Sequence, residues 1–451
     1  MNLLSVDLAV STGAVKPMHC VNNGPVHSFN VDQRVSNLES YRAAGIPYAR
    51  THDASFYATY GGEHTIDISA VFPDFDADAY DPASYDFIMT DEYLRVIQLA
   101  GTKVFYRLGS KIEHGIKKYG TLVPKDFQKW AVICEHIIRH YNEGWSDGFY
   151  YNITYWEIWN EPDLDPDDSN NKRCWGGTAA EYRALYTVAA RHLKSCFPHL
   201  KIGGPAVSKL WDADWIERFL ALDAPLDFFS WHIYANDPHK IAADCQKARD
   251  FLDRAGRKDT ESILNEWNYV CGWTGDDWFR SIKTEKSIKG AAFIAATMCL
   301  CQAEPLDMLM YYDARPCTMN GMYCTDRPSE TLKGYFPFRM FNTLYQLGEA
   351  AAVESDCPEL TLCAAKNGGE AAILAAYFDD DDTKPAKDVS LTLKHADYPK
   401  GARVIFSLLD ADHDDEVVKE ELLSPNAAEY VLSFRMPLDS AMLIRVLPAE
   451  A

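Results

Sequence analysis

The sequence lacks the features that mark nucleic-acid-binding and membrane proteins. Acidic residues outnumber basic ones by 66 to 44, the formal net charge is −22, and no cluster of basic side chains occurs. This balance argues against nucleic acid and against an anionic membrane as partners. No stretch reaches the roughly 18 uninterrupted apolar residues of a membrane-spanning helix, and the first residues lack the basic and apolar segments of a signal peptide. The sequence therefore predicts a cytoplasmic location.

Recognisable metal-ligand spacing is also missing. Twelve cysteines are spread along the chain without paired spacing. Cys299 and Cys301 fall in an apolar helical segment, which favours buried, reduced thiols. Cys317 and Cys324 flank a short loop and could approach each other, but we expect free thiols there too. The acidic run at residues 163–168 lacks the glycine and terminal glutamate of a calcium loop and is typical of a solvated loop. We therefore expect no metal and no cofactor.

Strand-like and helical patterns alternate over about the first 340 residues, which predicts a parallel sheet covered by helices. Runs of β-branched, aromatic and apolar residues predict eight strands, at 15–21, 46–52, 102–108, 153–160, 201–207, 226–234, 261–267 and 307–313. Segments with a period of 3.6 residues predict helices, at 34–44, 90–100, 125–142, 178–196, 213–222, 239–255, 284–303 and 331–347. Eight such strands are the number that a closed (β/α)₈ barrel requires.

After about residue 350 the pattern changes to short alternating segments separated by turn signals. The predicted strands are 359–366, 370–378, 388–394, 402–409, 428–434 and 440–447. They favour an all-β sandwich, which an N-terminal strand at 2–8 would complete. A chain of 451 residues is long enough for a large barrel with an accessory module. We therefore predict an α/β fold, with a TIM barrel over residues 10–349 and an accessory β-sandwich formed by residues 1–9 and 350–451.

The most informative segment is YWEIWNEPD, residues 155–163. A buried strand there runs into Asn160, Glu161 and Pro162, and the proline has no backbone N–H with which to continue a ladder. A carboxylate is therefore held at the carboxyl end of a strand, where parallel α/β folds place their chemistry. By itself, such a glutamate is more often a helix N-terminal charge or a salt-bridge partner.

A second carboxylate, Glu266, has the same setting in SILNEWNY at residues 262–269, and it follows Glu161 by 105 residues. That distance has room for about two or three βα units. Two carboxylates on separate strand ends of one barrel form the minimal apparatus for hydrolysing a glycosidic bond. One carboxyl group must stay protonated as the acid, and the other must be ionised.

Residues at other strand ends could complete this site. Arg50, at the end of the second strand, can supply the cation that keeps Glu266 ionised, and it can equally form a structural ion pair inside the barrel. Asn160 can donate to a sugar 2-hydroxyl, or it can serve only to fix the strand end. His52 lies at the same strand end as Arg50 and is a further candidate contact.

The sixth and eighth strands add four more candidates. His232 and Tyr234 lie two residues apart and so share one face of the sixth strand. Tyr234 could hydrogen-bond Glu266, and His232 could contact a sugar hydroxyl or be a core histidine satisfied by backbone groups. Tyr312 and Asp313 close the eighth strand, and one of them could line the sugar subsite.

Together with further motifs, these residues resemble glycoside hydrolase family 39, whose retaining barrel enzymes include β-xylosidases and α-L-iduronidases. The motifs that carry the likeness, besides the two glutamate segments, are WGGTAAEY at 175–182, KIGGPA at 201–206, DFFSWHIY at 227–234 and KGY at 333–335. The likeness covers roughly residues 10–350. It implies that Glu161 is the acid/base and Glu266 the nucleophile, and by analogy a homo-oligomer is possible.

The resemblance implies a retaining, exo-acting enzyme on an oligosaccharide or glycoside, with β-D-xylosides as the leading substrate. Activity of the β-glucosidase, α-L-arabinosidase or α-L-iduronidase type remains open, as does a non-catalytic carbohydrate-binding barrel. A uronic acid substrate would need cations, and only Lys209, Arg280 and Arg315 can be placed near that face. Trp273 could be a sugar platform or a packing residue.

Overall fold

The computed structural model describes residues 2–27, 36–53, 64–427 and 429–449. The first strand, β1 (Asn2–Ala14), belongs to a sheet outside the barrel. The next eight strands close into a barrel in chain order, and every neighbouring pair is parallel. These strands are β2 (Cys20–Asn22), β3 (Tyr48–Arg50), β4 (Lys103–Leu108), β5 (Tyr155–Ile158), β6 (Lys201–Val207), β7 (Phe228–Ala235), β8 (Glu261–Tyr269) and β9 (Met308–Tyr311). The predicted TIM barrel is confirmed, and each predicted barrel strand overlaps an observed one.

The α-helices of the described residues follow the predicted order with two additions. They are α1 (Leu38–Ala43), α2 (Ile68–Val71), α3 (Ile88–Leu99), α4 (Phe127–Glu143), α5 (Ala179–Cys196), α6 (Ala213–Leu220), α7 (Pro238–Arg254), α8 (Gly275–Glu285), α9 (Ile288–Ala303) and α10 (Phe336–Leu347). The short α2 and the separate α8 have no counterpart among the predicted helices. The predicted helix at 34–44 begins outside the described residues, and its described part contains α1.

The C-terminal strands form one nine-stranded sheet with β1. They are β10 (Glu349–Ser355), β11 (Leu360–Asn367), β12 (Glu370–Tyr377), β13 (Lys387–Lys394), β14 (Ala402–Leu409), β15 (Asp414–Leu423), β16 (Glu429–Met436) and β17 (Ser440–Pro448). The order in the sheet is β15-β14-β17-β12-β11-β10-β1-β13-β16. Leu391 of β13 and Phe406 of β14 share one apolar core although their strands stand near opposite ends of the sheet. The sheet therefore curls over on itself. Its two halves share a sandwich-like apolar core, while neighbouring strands stay hydrogen-bonded along the whole sheet.

Strand β1 ties the start of the chain to this sheet. It pairs antiparallel with β10 and parallel with β13. It continues to Ala14, past the predicted boundary at residue 9, and β10 and β15 are absent from the predicted set. A single strand thus holds the two halves of the curled sheet together.

Local sequence explains the start of one helix, and tertiary packing explains the apolar character of another. The Thr178 hydroxyl accepts from the Glu181 N–H at 3.2 Å while the Glu181 carboxylate accepts from the Thr178 N–H at 2.7 Å, which is a capping box at the start of α5. Helix α9 is apolar on nearly all sides because it packs between the barrel and strands β11 and β12.

A loop of the sheet also contacts the rim of the barrel. Asp380, between β12 and β13, accepts hydrogen bonds from the Tyr269 hydroxyl at 2.6 Å, from Asn236 Nδ2 at 2.9 Å and from Arg280 Nη2 at 2.8 Å. Tyr269 ends β8, and Asn236 directly follows β7. The accessory sheet therefore braces the ends of two barrel strands.

All twelve cysteines are free thiols, which confirms the expectation for Cys299, Cys301, Cys317 and Cys324. Within the described part of the chain, no helix is both long and apolar enough to span a membrane.

Candidate active site

The carboxyl ends of the barrel strands surround a cavity of about 710 Å³. The predicted site residues that line it are His52, Asn160, Glu161, His232, Tyr234, Glu266 and Tyr312. Arg50 is fully buried and contacts the cavity wall from behind, and Asp313 is buried away from the cavity.

Glu161 is positioned by an unusual backbone turn at the end of β5. The φ angles of Trp159 (78°) and Glu161 (46°) lie in the left-handed region, which non-glycine residues seldom adopt. The Glu161 N–H donates to the carbonyl oxygen of Ala206 at 3.0 Å. Gly109 leaves room for this turn, because an added Cβ there would lie 2.7 Å from the Trp159 ring. The turn places the Glu161 side chain in the cavity wall.

Burial raises the pKa of Glu161 to about 7, and the charge of Arg50 opposes that shift only in part. Its Oε1 lies 2.8 Å from His232 Nδ1, and its Oε2 accepts from Cys174 Sγ at 3.7 Å. A carboxyl group with this pKa is substantially protonated at neutral pH, so it can donate a proton.

Glu266 lies inside β8 rather than after its end, and it is surrounded by donors. Arg50 Nη1 donates to Oε1 at 2.9 Å, and the Tyr234 hydroxyl donates to Oε2 at 2.9 Å. Burial raises the pKa of Glu266, while the charge of Arg50 and the Tyr234 hydrogen bond oppose that shift. The structure thus brings both predicted partners, Arg50 and Tyr234, to this carboxylate.

His232 lies between the two carboxylates. Its Nδ1 is 2.8 Å from Glu161 Oε1 and 3.3 Å from Glu266 Oε2, and one such atom from each of the three residues lies within 4.8 Å of the others. Burial lowers the pKa of His232, and its Nε2 has no hydrogen-bond partner among the described residues. A neutral ring with its proton on Nδ1 fits this position. The three side chains could ligate a metal, but the buried guanidinium of Arg50 already supplies positive charge beside Glu266.

Arg50 connects four polar groups beneath the cavity. Besides Glu266, it donates from Nε to Glu157 Oε2 at 2.7 Å, from Nη2 to Asn160 Oδ1 at 2.7 Å and from Nη1 to Asn22 Oδ1 at 3.0 Å. Because the Asn160 oxygen is occupied by Arg50, its amide N–H groups remain for the cavity side. Arg50 therefore orients both a carboxylate and an amide of the site.

The support from Glu157 was missed by sequence reasoning. This fully buried carboxylate also accepts from Ser230 Oγ at 2.6 Å and from Asn265 Nδ2 at 2.5 Å. The available signal was a single charged residue inside an otherwise apolar strand, since a buried carboxylate requires compensating partners.

The remaining predicted residues divide between the cavity and the core. His52 Nε2 lies 3.6 Å from Glu266 Oε1, and burial lowers the pKa of His52 to about 4. The Tyr312 ring packs edge-on against His52, with centroids 5.7 Å apart. Asp313 instead accepts from the Arg315 backbone N–H, and burial raises its pKa to about 6.

The acidic run after Glu161 is not uniformly solvated as predicted. Asp163 is buried and accepts from the backbone N–H groups of Ser208 at 2.9 Å and Lys209 at 2.8 Å. Asp165 forms an ion pair with Arg173 at 2.7 Å. The Asp163 contacts fasten the loop after β5 to the loop after β6, and the Asp165–Arg173 pair lies within the loop after β5.

The three predicted cations for an acidic sugar do not converge. Lys209 lines the cavity. Arg280 pairs with Asp380 at 2.8 Å at the edge of the barrel, and Arg315 pairs with buried Asp53 at 3.1 Å.

A second cluster of potential metal ligands, Glu135, His192 and Cys196, lies between α4 and α5. Glu135 accepts from Arg139 at 2.8 Å and lies 2.7 Å from His192 Nε2. Its carboxylate is thus already paired within an ion-pair network outside the barrel cavity.

The family model of glycosyl hydrolases family 39 matches residues 60–254, a span that contains Glu161 and His232. Two curated relatives are a β-xylosidase from Geobacillus stearothermophilus, 37% identical over 126 residues, and one from Caldicellulosiruptor saccharolyticus, 28% identical over 165 residues. The segment at residues 60–254 is therefore similar to the glycosyl hydrolases of family 39. These matches cover 26% and 34% of this chain, and 23% and 32% of the two relatives, so they span about a quarter and a third of the relatives' lengths.

Solved structures share the fold over the whole chain. A glucosidase from Croceicoccus marinus superposes with a TM-score of 0.80 at 20% identity, covering 100% of this chain and 99% of that one. A monomeric β-xylosidase from Caulobacter crescentus gives 0.72 at 17% identity, with complete coverage of both chains. At this identity the likeness establishes the barrel with its accessory sheet, and the chemistry must be argued from the site.

Proposed function

We propose that this protein is a retaining, exo-acting glycoside hydrolase with β-D-xylosides as its leading substrates. The observation that carries the proposal is the opposition of Glu161 and Glu266 across one cavity in different environments. Glu161 has a pKa of about 7 set by burial, whereas Glu266 accepts hydrogen bonds from Arg50 and Tyr234. The general acid must be protonated and the nucleophile must be ionised, and these two environments favour those two states.

In the first step, protonated Glu161 donates its proton to the glycosidic oxygen as the bond from that oxygen to the anomeric carbon breaks. A carboxylate oxygen of Glu266 forms the new bond to the anomeric carbon, which gives a covalent glycosyl-enzyme. In the second step, Glu161, now ionised, takes a proton from water. The water oxygen bonds to the anomeric carbon, and Glu266 leaves as a carboxylate.

The spacing of the carboxylates supports retention of configuration. Retaining enzymes hold their carboxyl groups about 5–5.5 Å apart, and inverting enzymes hold them about 6.5–9.5 Å apart to accommodate a water molecule. Glu161 and Glu266 each place an oxygen within 4.8 Å of the other and of His232 Nδ1. This short separation favours direct attack by Glu266.

Asn160 and His232, which lie beside the carboxylates, also act in this mechanism. Asn160 uses its oxygen to accept from Arg50, so its amide can donate to the sugar 2-hydroxyl, a contact that strengthens at the transition state. His232 lies 2.8 Å from Glu161 and 3.3 Å from Glu266. With its proton on Nδ1, it donates to whichever carboxylate is ionised and holds the pair apart.

The preference for a β-D-xyloside rests on the matched relatives, which are both β-xylosidases. β-Glucosidase, α-L-arabinosidase and α-L-iduronidase-like specificities are the alternatives within the same chemistry. We place the enzyme in the cytoplasm, and its twelve free thiols support a reducing compartment.

The test is a panel of aryl glycosides that differ in sugar and in anomeric configuration, followed by proton NMR of the first-formed product. We expect the β-D-xyloside to be cleaved fastest and the released xylose to appear first as the β-anomer. Initial release of the α-anomer would show inversion and contradict the mechanism. Binding of sugars without turnover of any glycoside would instead favour a non-catalytic carbohydrate-binding barrel.

A further inference from the structure

The cavity has a charge balance opposite to that of the whole chain. The sequence holds 66 acidic and 44 basic residues. Apart from the catalytic pair, however, the described residues that line the cavity include four cations and one carboxylate: Arg173, Lys209, Lys240, Lys247 and Asp244. Arg173 is paired with Asp165 at 2.7 Å, which leaves the three lysines. A cavity that collects cations on a strongly acidic protein is suited to attract an anionic ligand.

These cations lie on the side of the cavity that receives the leaving group. Glu161 must reach the leaving oxygen, so that group lies beside the loop after β5. Arg173 belongs to this same loop. Lys209, in the loop after β6, donates from Nζ to the carbonyl oxygen of Asp163 in the loop after β5 at 2.9 Å. Lys240 and Lys247 belong to α7, which follows β7. The cations therefore come from three consecutive barrel connections.

The two lysines of α7 have charges that the protein leaves largely uncompensated. Among the described residues, neither ammonium group forms an ion pair within 4.0 Å, although Asp244 lies about one helical turn from both lysines, Asp237 one turn before Lys240 and Asp250 one turn after Lys247. Lys240 also lies in the first turn of α7, where the helix dipole disfavours a cation and favours an anion. An anion bound between these lysines would compensate their charges and would interact favourably with the N-terminal end of the α7 dipole.

An exposed aromatic ring adjoins the same charges. Trp211 is 71% exposed although it lines the cavity, and Lys209 Nζ lies 5.8 Å from its ring centroid. A large apolar face left open beside cations provides a surface on which a sugar ring can stack while its charged substituent meets the lysines.

The inner part of the cavity has the opposite character. The cations behind its wall are already paired: Arg50 pairs with Glu266 at 2.9 Å and with Glu157 at 2.7 Å, and Arg315 pairs with Asp53 at 3.1 Å. A neutral sugar therefore suits the inner subsite, and a negative charge suits the outer one.

We propose that the outer subsite, formed by Trp211, Lys209, Lys240 and Lys247, binds a leaving-group saccharide that carries a carboxylate, such as a uronic acid unit. This inference rests on the proposed function, because it assigns the leaving-group side of the same site. The substrate class would then be an acidic oligosaccharide with a neutral, cleavable terminal sugar.

The test uses two aryl glycosides of the sugar that the wild-type enzyme cleaves best, with 3-carboxyphenyl and 3-carbamoylphenyl leaving groups. They share shape and differ in charge, so the ratio of their kcat/KM values reports recognition of the carboxylate. We expect a ratio of roughly ten in low salt, since two or three exposed ion pairs each contribute a factor of a few. The ratio should decline as ionic strength rises.

The double variant Lys240→Gln/Lys247→Gln should lower this ratio to roughly one to three, and Trp211→Ala should weaken binding of both compounds. Lys258→Gln is the matched control, because Lys258 is exposed beyond the far end of α7 and does not line the cavity. A wild-type ratio near one, or an equal ratio in the double variant and the control, would overturn the inference with the glycosidase activity intact. If no aryl glycoside is cleaved at all, the proposed function fails, and the inference fails with it.

Discussion

The guanidinium of Arg50 donates from Nη1 to Oε1 of Glu266 across 2.9 Å, with both side chains almost completely buried. The same group reaches Glu157 and Asn160 at 2.7 Å each. One cation therefore fixes both the proposed nucleophile and the amide that we propose contacts the sugar. Removing this cation should change the pH dependence of catalysis and the free energy of unfolding, and the two effects can be measured separately.

Arg50→Met should shift the acidic limb of the kcat/KM profile to higher pH. Glu266 acts when ionised, and the positive charge of Arg50 lowers its pKa. Without that charge the pKa of Glu266 rises, by about 1–3 units for a close ion pair, so activity is lost at pH values where the wild type still works. The variant should also lose about 3–5 kcal/mol of unfolding free energy, because Glu157 is left buried without its cation. Arg50→Lys is the control that keeps charge, and an unmoved limb in Arg50→Met would make Arg50 purely structural.

Tyr234→Phe removes the hydroxyl that donates to Glu266 Oε2 at 2.9 Å. Since a hydrogen bond to a charged group contributes about 1.5–3 kcal/mol, we expect kcat/KM to fall roughly tenfold to a hundredfold. The acidic limb should also move upward, because this bond lowers the pKa of Glu266. Tyr80→Phe, at a site 67% exposed and outside the cavity, serves as the control. Wild-type kinetics in Tyr234→Phe would show that the hydroxyl does not assist the nucleophile.

Glu161→Ala should depend on the leaving group. The wild-type kcat/KM should decline as pH rises through about 7, because Glu161 must carry its proton and has that pKa. In the variant, a dinitrophenyl glycoside leaves without protonation and should still form the glycosyl-enzyme, with a burst followed by slow hydrolysis. An alkyl glycoside should lose about 10²–10⁴-fold. Azide should speed the second step and give a glycosyl azide of retained configuration. Equal losses for both leaving groups would remove Glu161 from this role.

Asp380→Ala tests whether the accessory sheet supports the site. Asp380 binds Asn236 and Tyr269, which follow Tyr234 by two residues and Glu266 by three in the sequence. Loss of these hydrogen bonds should cost about 1–3 kcal/mol of stability and should lower kcat/KM, as measured by thermal unfolding and initial rates. Asp381→Ala is the matched control, since its carboxylate binds only its own turn at Thr383 among the described residues. Equal effects of the two variants would mean that the loop does not support the catalytic strands.

The barrel and its two carboxylates could be predicted from the sequence because their signals are local. Strand-like runs alternate with helical periods, and Glu161 directly follows a buried run broken by Pro162. The pairing partners could not be predicted in the same way. Arg50 and Glu157 are 107 residues apart, and only closure of the barrel brings them together.

The prediction was weakest where local patterns end. Tyr312 and Asp313 are adjacent, and the sequence could not decide which one faces the sugar, since a shift of one residue reverses the side-chain direction. The structure places Tyr312 in the cavity and Asp313 in the core. Lys240 and Lys247 lie on a barrel helix that carries no motif associated with the site, and only the folded chain brings them to the cavity.

The most direct measurement of the two-carboxylate mechanism is trapping of its covalent intermediate. The enzyme is incubated with a 2-fluoroglycoside of its best sugar, digested, and mapped by peptide mass spectrometry. The mechanism predicts time-dependent inactivation with one label, on the peptide that contains Glu266, because the fluorine slows both steps while an activated leaving group speeds the first, so that the glycosyl-enzyme accumulates. A label on any other residue, or continued turnover with no covalent adduct, would contradict the assignment of Glu266 as the nucleophile.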